Sequence, residues 1–199
     1  MKPILLDGPM GTEIERRGGE ISLPLWSAKG LLNNPEMIRE IHLDYIISGS
    51  SVITTNTFRT QERTFRKVGL NNYGKQMSQL AVELAQEARR ISQQPVKIAG
   101  SISPLEDCYS PQLVPDISSL KSEHKDMINW LFDAGIDLFL IETMNSIVEA
   151  KVAFEEASEY NLPIWLGMTA DDSGDLLSGE SWVQLLQSFS VLPEVLFVN

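Results

Sequence analysis

Residues 134–150 read AGIDLFLIETMNSIVEA. Gly135 follows a helical pattern over Ser118–Ala134, in which Leu120, Met127, Ile128, Leu131 and Phe132 recur at helical spacing. Asp137–Glu142 is then a short apolar run of the length and type of a buried strand. Ser146 and Glu149 stand three apart, the spacing of a capping box, and open a second helical pattern over Ser146–Tyr160. A strand held between two helices takes parallel neighbours, because a parallel connection needs a long crossover. This stretch therefore makes the chain α/β.

The same rhythm extends in both directions. Further strands are predicted at Pro3–Asp7, Ser51–Thr55, Val96–Ser101, Pro163–Thr169 and Val195–Asn199. Helical patterns cover Pro35–Ile47, Gln61–Lys67, Tyr73–Ser92 and Ser178–Phe189. Asn34 and Pro35 form a cap and first-turn pair, and Gly49 follows that helix. Tyr73–Ser92 carries Met77, Leu80, Ala81, Leu84 and Ala88 on one stripe. Ser103–Pro115, with prolines at 104, 111 and 115, reads as an ordered loop. Six strands give roughly 33 residues per unit, and eight such units would need about 265, near the size of a (β/α)₈ barrel. The chain reads as one domain over 1–199, a TIM barrel of about six βα units ending on strand six.

Composition narrows the function. The 199 residues are 43% apolar and 22% charged, which is ordinary for a globular protein. No apolar run reaches the ~18 residues of a membrane helix, and MKPILLDG is too short for a secretion signal. One cysteine makes no internal disulfide, which fits a reducing cytoplasm, and two histidines offer little to a transition metal. Net charge is −11 but uneven: residues 1–100 carry +3 and residues 101–199 carry −14. Such an acidic half repels nucleic acid and anionic membranes, and its plainest role is a solvated face.

In a parallel barrel, chemistry gathers at the carboxyl ends of the strands. Those ends are polar here: Asp7, then Thr54 to Thr57, Ser101 and Ser103, Glu142 and Thr143, Thr169 and Asp171, and Asn199. Loops after strands are commonly polar, so only the whole set suggests a polar rim. Asp7 and Glu142 stand out as acids placed directly after apolar runs, where a carboxylate is costly unless partnered. A turn or cap role for Asp7, or an internal ion pair for Glu142, is the structural alternative. Gly8 and Gly11 lack the Gly-Lys-Ser/Thr of a phosphate loop and are expected to let the backbone turn tightly. His42 is expected to be a packed or surface residue, His124 a solvated helix position, and Cys108 an incidental loop thiol. Trp26 would line a pocket or cover the barrel end. Trp130, Trp165 and Trp182 fall on core patterns.

DGPMGTEIERRG, PLWSAKGLLNNPEMIREIHLDYIISGSSVITTNTF, GSISPLEDCY and AGIDLFLIETMNSIVEA occur in that order. Together they resemble the homocysteine S-methyltransferase family, which includes betaine- and S-methylmethionine-dependent enzymes. The resemblance runs over essentially all 199 residues. It implies a (β/α)₈ barrel and methyl transfer from an activated donor to the thiol of homocysteine, giving methionine. It also implies a zinc ion held by three cysteines, the first after a strand ending in Val-Asn and the others a later Cys-Cys pair. This sequence reaches that Val-Asn at Asn199, and Cys108 matches none of the three. The resemblance places Asp7 and Gly8 at the border of the homocysteine pocket. Trp26 and Phe58 would line it or the donor side, Thr54 and Asn56 would shape its mouth, and Glu142 would bind the substrate ammonium. The expected partners are homocysteine and a methyl donor, with an oligomer allowed.

Three readings follow. The chain is the N-terminal part of a zinc methyltransferase, without the zinc cysteines and without turnover of its own. Alternatively, it is a non-catalytic remnant that binds an amino acid or a partner chain. Otherwise it is a different α/β enzyme using Asp7 and Glu142 as acid and base. The methyl donor, and homocysteine against selenocysteine as acceptor, are not legible in the residues.

Overall fold

The computed structural model describes residues 3–199. It forms an α/β fold with five parallel strands in two compact units, residues 3–101 with 130–137, and residues 102–129 with 138–199. Five of the six predicted strands are present. Pro3–Asp7 is not one of them. It is an extended segment joined to the neighbouring strand by a single parallel bridge, Leu6 to Val52. Pro3 has no N–H, and the Leu5 N–H goes to the Ser51 hydroxyl at 3.0 Å, so a regular ladder does not develop. The Asp7 N–H still reaches the Val52 carbonyl at 3.1 Å, and this fixes where Asp7 stands.

In the first unit, α1 (Met10–Arg16), α2 (Lys29–Asn33) and α3 (Pro35–Ile47) precede β1 (Val52–Thr54). Then come α4 (Glu62–Arg66), α5 (Gly74–Ser92) and β2 (Lys97–Ile102). Strand β2 pairs with β1 in parallel, from Val52 opposite Lys97 to Thr54 opposite Ala99. Helix α3 has the predicted bounds, with the Asn34 side chain accepting from the Met37 N–H. The apolar stripe of α5 supplies Met77, Ala81 and Leu84 to a core with Ile14, Leu31, Ile38, Ile41 and Phe65. Helices α1 and α2, seven and five residues long, are additional to the predicted helical patterns.

Helix α6 spans Ile117–Ala134. The second unit contains β3 (Leu138–Met144), α7 (Ile147–Ser158), β4 (Ile164–Met168), α8 (Trp182–Ser188) and β5 (Val195–Val198). Its strands pair in parallel in the order β3-β4-β5. Leu105, Leu120 and Val152 form a small cluster beneath the loop that precedes α6. The capping box expected of Ser146 and Glu149 is absent, since Ser146 makes no side-chain cap bond. Glu180 takes that place from a distant loop, its carboxylate accepting from the Ile147 N–H at 2.9 Å. A capping box does form at α8, between Ser181 and Gln184.

Candidate functional site

In the first unit the chain leaves its bridge at Leu6 and presents Asp7 to the end of β1. One carboxyl oxygen of Asp7 accepts from the Thr54 N–H at 2.7 Å, and the other from the Thr54 hydroxyl at 2.8 Å. Burial pushes this carboxyl up to about 6, and the two Thr54 bonds only partly offset the rise. Asp7 and Thr54, predicted separately, are thus one hydrogen-bonded pair poised near neutral pH.

The glycines beside Asp7 serve a different purpose from the one expected. Neither has a positive φ. A Cβ on Gly8 would lie 2.8 Å from the Tyr45 hydroxyl, and a Cβ on Gly11 would lie 2.8 Å from the Trp26 indole nitrogen. Close approach of aromatic rings, not turn geometry, requires glycine here. Trp26 is 42% exposed and has a left-handed backbone, φ 49°. The turn after it is tied to the end of β1, where buried Asn56 donates through Nδ2 to the Ser27 carbonyl at 2.9 Å. Oδ1 of Asn56 is also buried and meets no protein donor among the described residues.

Hydroxyls lock the TTNTF turn. Thr55 and Thr57 hydroxyls lie 2.8 Å apart, the Thr57 hydroxyl donates to the Ser101 carbonyl, and the Thr55 hydroxyl accepts from the Ser101 N–H. Phe58 follows, with the Arg59 guanidinium 5.3 Å from its ring centroid. Asp7, Gly8, Trp26, Thr54, Asn56 and Phe58 all lie in the first unit, where hydrogen bonds join Asp7 to Thr54 and Asn56 to the turn after Trp26. An open groove of about 500 Å³ also lies on this unit, lined by Arg16, Arg17, Asn34, Glu36, Met37, Glu40 and Asp44. It holds none of the candidate residues, and its charges are already paired, as in Arg17 with Asp44 at 2.5 Å. It is a surface ion-pair network.

Glu142 stands in the second unit, where β3 breaks its register against β4 between Ile141 and Met144. Two residues, Glu142 and Thr143, face Gly167 across this bulge. Thr143 has φ 59°, a left-handed conformation that a β-branched residue adopts only under constraint. Its hydroxyl accepts from Asn199 Nδ2 at 2.9 Å. A Cβ on Gly167 would come within 2.5 Å of Asn199 Oδ1 and of the Phe197 ring. The bulge thus takes Glu142 and Thr143 out of the regular ladder, and the Asn199–Thr143 bond ties this stretch to the residue after β5. The alternation pattern gives no sign of a bulge, so only the polar strand ends could have marked Thr143 and Asn199.

The histidines and the cysteine depart from expectation in part. His42 is packed, fully buried, and burial pushes its imidazole down to about 4. His124, expected in solvent, is also fully buried, with Nε2 3.1 Å from Glu149 Oε1. Its charged sequence neighbours point to solvent while its own helical position faces inward. Cys108 is buried in its loop. The zinc implied by the resemblance needs three thiolates, and this chain has one cysteine. No group of three or more His, Cys, Asp or Glu side chains is arranged to hold a metal among the described residues. These residues do not fit the zinc site. No helix among the described residues is long and apolar enough to cross a membrane.

Comparison with known proteins supplies the lineage. The chain is 32% identical to the homocysteine S-methyltransferase of Escherichia coli strain K12, over 96% of this chain and 66% of that one. It is 29% identical to a selenocysteine methyltransferase of Astragalus bisulcatus, over 89% of this chain and 61% of that one. The crystal structure of the Escherichia coli homocysteine methyltransferase MmuM in its metallated form superposes with a TM-score of 0.90 at 31% identity. That match covers 100% of this chain and 75% of that one. The chain spans about three fifths of the length of such curated relatives. The family profile of homocysteine S-methyltransferases matches residues 4–199. On this match, and on the motifs it shares, the chain belongs to the homocysteine S-methyltransferase family.

Proposed function

We propose that the chain serves methyl transfer from an activated donor to the thiol of homocysteine, giving methionine, and that residues 1–199 are its homocysteine-binding domain. Its strands are read as part of a (β/α)₈ barrel. The observation that carries the reading is the Asp7–Thr54 pair, two hydrogen bonds that hold a buried carboxyl in place inside the family's own DGPMG segment, where burial raises it to about 6. In this reading Asp7 and Gly8 border the amino-acid pocket, Trp26 and Phe58 line it, and Thr54 and Asn56 shape its mouth. Glu142 takes the substrate ammonium through charge-assisted hydrogen bonds. The acidic strand ends also suit a sulfonium or quaternary ammonium donor, which departs neutral once its methyl is lost. The residues' contribution is orientation: they hold the acceptor so that its sulfur meets the donor in line.

For the 199-residue chain itself, this amounts to binding without turnover. That second, non-catalytic reading is favoured by the chain's single cysteine, which cannot supply three thiolates. The test is calorimetric titration of L-homocysteine and L-selenocysteine into the wild-type chain and Glu142→Gln, beside a methionine-formation assay with S-methylmethionine. The wild type is expected to bind homocysteine, Glu142→Gln to weaken binding about tenfold or more, and no methionine to form. Equal affinity in the variant overturns the role of Glu142. Methionine formation by the chain alone overturns binding without turnover.

A further inference from the structure

The segment that carries Glu142 also carries two buried residues that amino-acid binding does not use. Asn145 donates through Nδ2 to the Asp107 carbonyl at 3.2 Å. Glu149, on the first turn of α7, accepts the Leu105 N–H at 2.8 Å through Oε1. The same oxygen lies 3.1 Å from His124 Nε2 on α6, and both side chains are 1% exposed. Leu105 and Asp107 lie in the loop 103–110 that follows β2. Two positions of one segment, three and seven residues beyond Glu142, therefore grip two alternate residues of one loop. The sequence offers Glu149 an ordinary partner in Ser146, yet its carboxyl is turned to the loop. Leu105 is itself 1% exposed and packs with Leu120 and Val152, so the grip sets a fixed register.

We propose that Asn145 and Glu149, the latter oriented by His124, are positioning residues that fix loop 103–110 beside the strand end bearing Glu142, so that the loop forms a wall of the amino-acid site. The wall assignment rests on the reading of Glu142 above, while the anchoring does not. The loop carries the chain's one cysteine, Cys108, which is buried and reports any local release.

The experiment follows alkylation of Cys108 by iodoacetamide under native conditions, with the denaturant midpoint of each protein measured alongside. Asn145→Ala and Glu149→Ala are expected to raise the alkylation rate about tenfold beyond what their global unfolding accounts for. Glu149→Gln keeps an acceptor for the Leu105 N–H and is expected to stay near the wild-type rate. If Glu149→Ala does not fold, Asn145→Ala alone decides, since it removes only the Asp107 bond. Rates that rise only in step with global unfolding overturn the anchoring. L-Methionine, a thiol-free probe of the amino-acid site, is expected to slow alkylation of the wild type. Calorimetric binding of L-methionine without protection of Cys108 overturns the wall assignment. No amino-acid binding by the wild type instead overturns the function reading, and the alkylation comparison still decides the anchoring.

Discussion

Asp7→Asn separates the two roles given to Asp7, a strand-end tether and a charge. Asparagine can keep both Thr54 contacts, with its oxygen accepting the Thr54 N–H and its amide donating to the Thr54 hydroxyl. The variant therefore removes the charge and keeps the geometry. In the wild type the folded carboxyl holds its proton up to about 6, against an ordinary value of 3.8 in the unfolded chain. Between those values the unfolded carboxyl binds fewer protons than the folded one, so the contribution of Asp7 to wild-type stability falls as pH rises and levels off above about 6. The full difference corresponds to about 3 kcal/mol, and partial exposure to water reduces this to about 1–2 kcal/mol. Urea unfolding of both proteins from pH 4 to 7.5 is the assay. Asp7→Asn is expected to gain about 1–2 kcal/mol relative to wild type across that range and to bind homocysteine more weakly at pH 7.5. A stability difference that does not change with pH would refute the reasoning, because Asp7 would then titrate alike in both states.

His42 bears the opposite sign. Its imidazole titrates near 4 when folded and 6.5 when unfolded, so it contributes stability at neutral pH that is lost as pH falls from about 6.5 to 4. His42→Leu is expected to abolish about 3 kcal/mol of that acid sensitivity, and an unchanged acid limb in urea melts would show that His42 is not buried neutral. Gly167→Ala places a Cβ 2.5 Å from Asn199 Oδ1 and the Phe197 ring. It is expected to cost about 1–3 kcal/mol in thermal unfolding, and a neutral substitution would mean β5 does not pack on β4 there.

The two short helices and the failed first strand show where sequence pattern loses its grip. Over α3 or α5 the apolar period repeats for several turns, so both bounds and inward face are written locally. Over Pro3–Asp7 the same apolar run exists, but its ladder depends on Ser51, some 46 residues away, whose hydroxyl takes the Leu5 N–H. Glu149 shows the same limit at a single side chain. Its spacing from Ser146 satisfies the capping rule, and the partners that outcompete Ser146 are Leu105 and His124, 44 and 25 residues distant. The charged neighbours of His124 point to a solvated position, whereas its contact with Glu149 holds it fully buried.

The sequence by itself determined the α/β class, five of the strands and the family. It also placed Thr54 and Asn56 at the carboxyl end of β1 and Glu142 within the apolar strand β3, because apolar periodicity and strand length are properties of neighbouring residues. Tertiary structure alone decided that Asp7 pairs with Thr54 and that Gly8 and Gly11 make room for Tyr45 and Trp26. It alone bulged β3 at Glu142 and turned Glu149 to the loop. Each of these depends on which distant group fills a buried donor, acceptor or space, and the need to satisfy buried polar groups is met across the fold rather than along the chain.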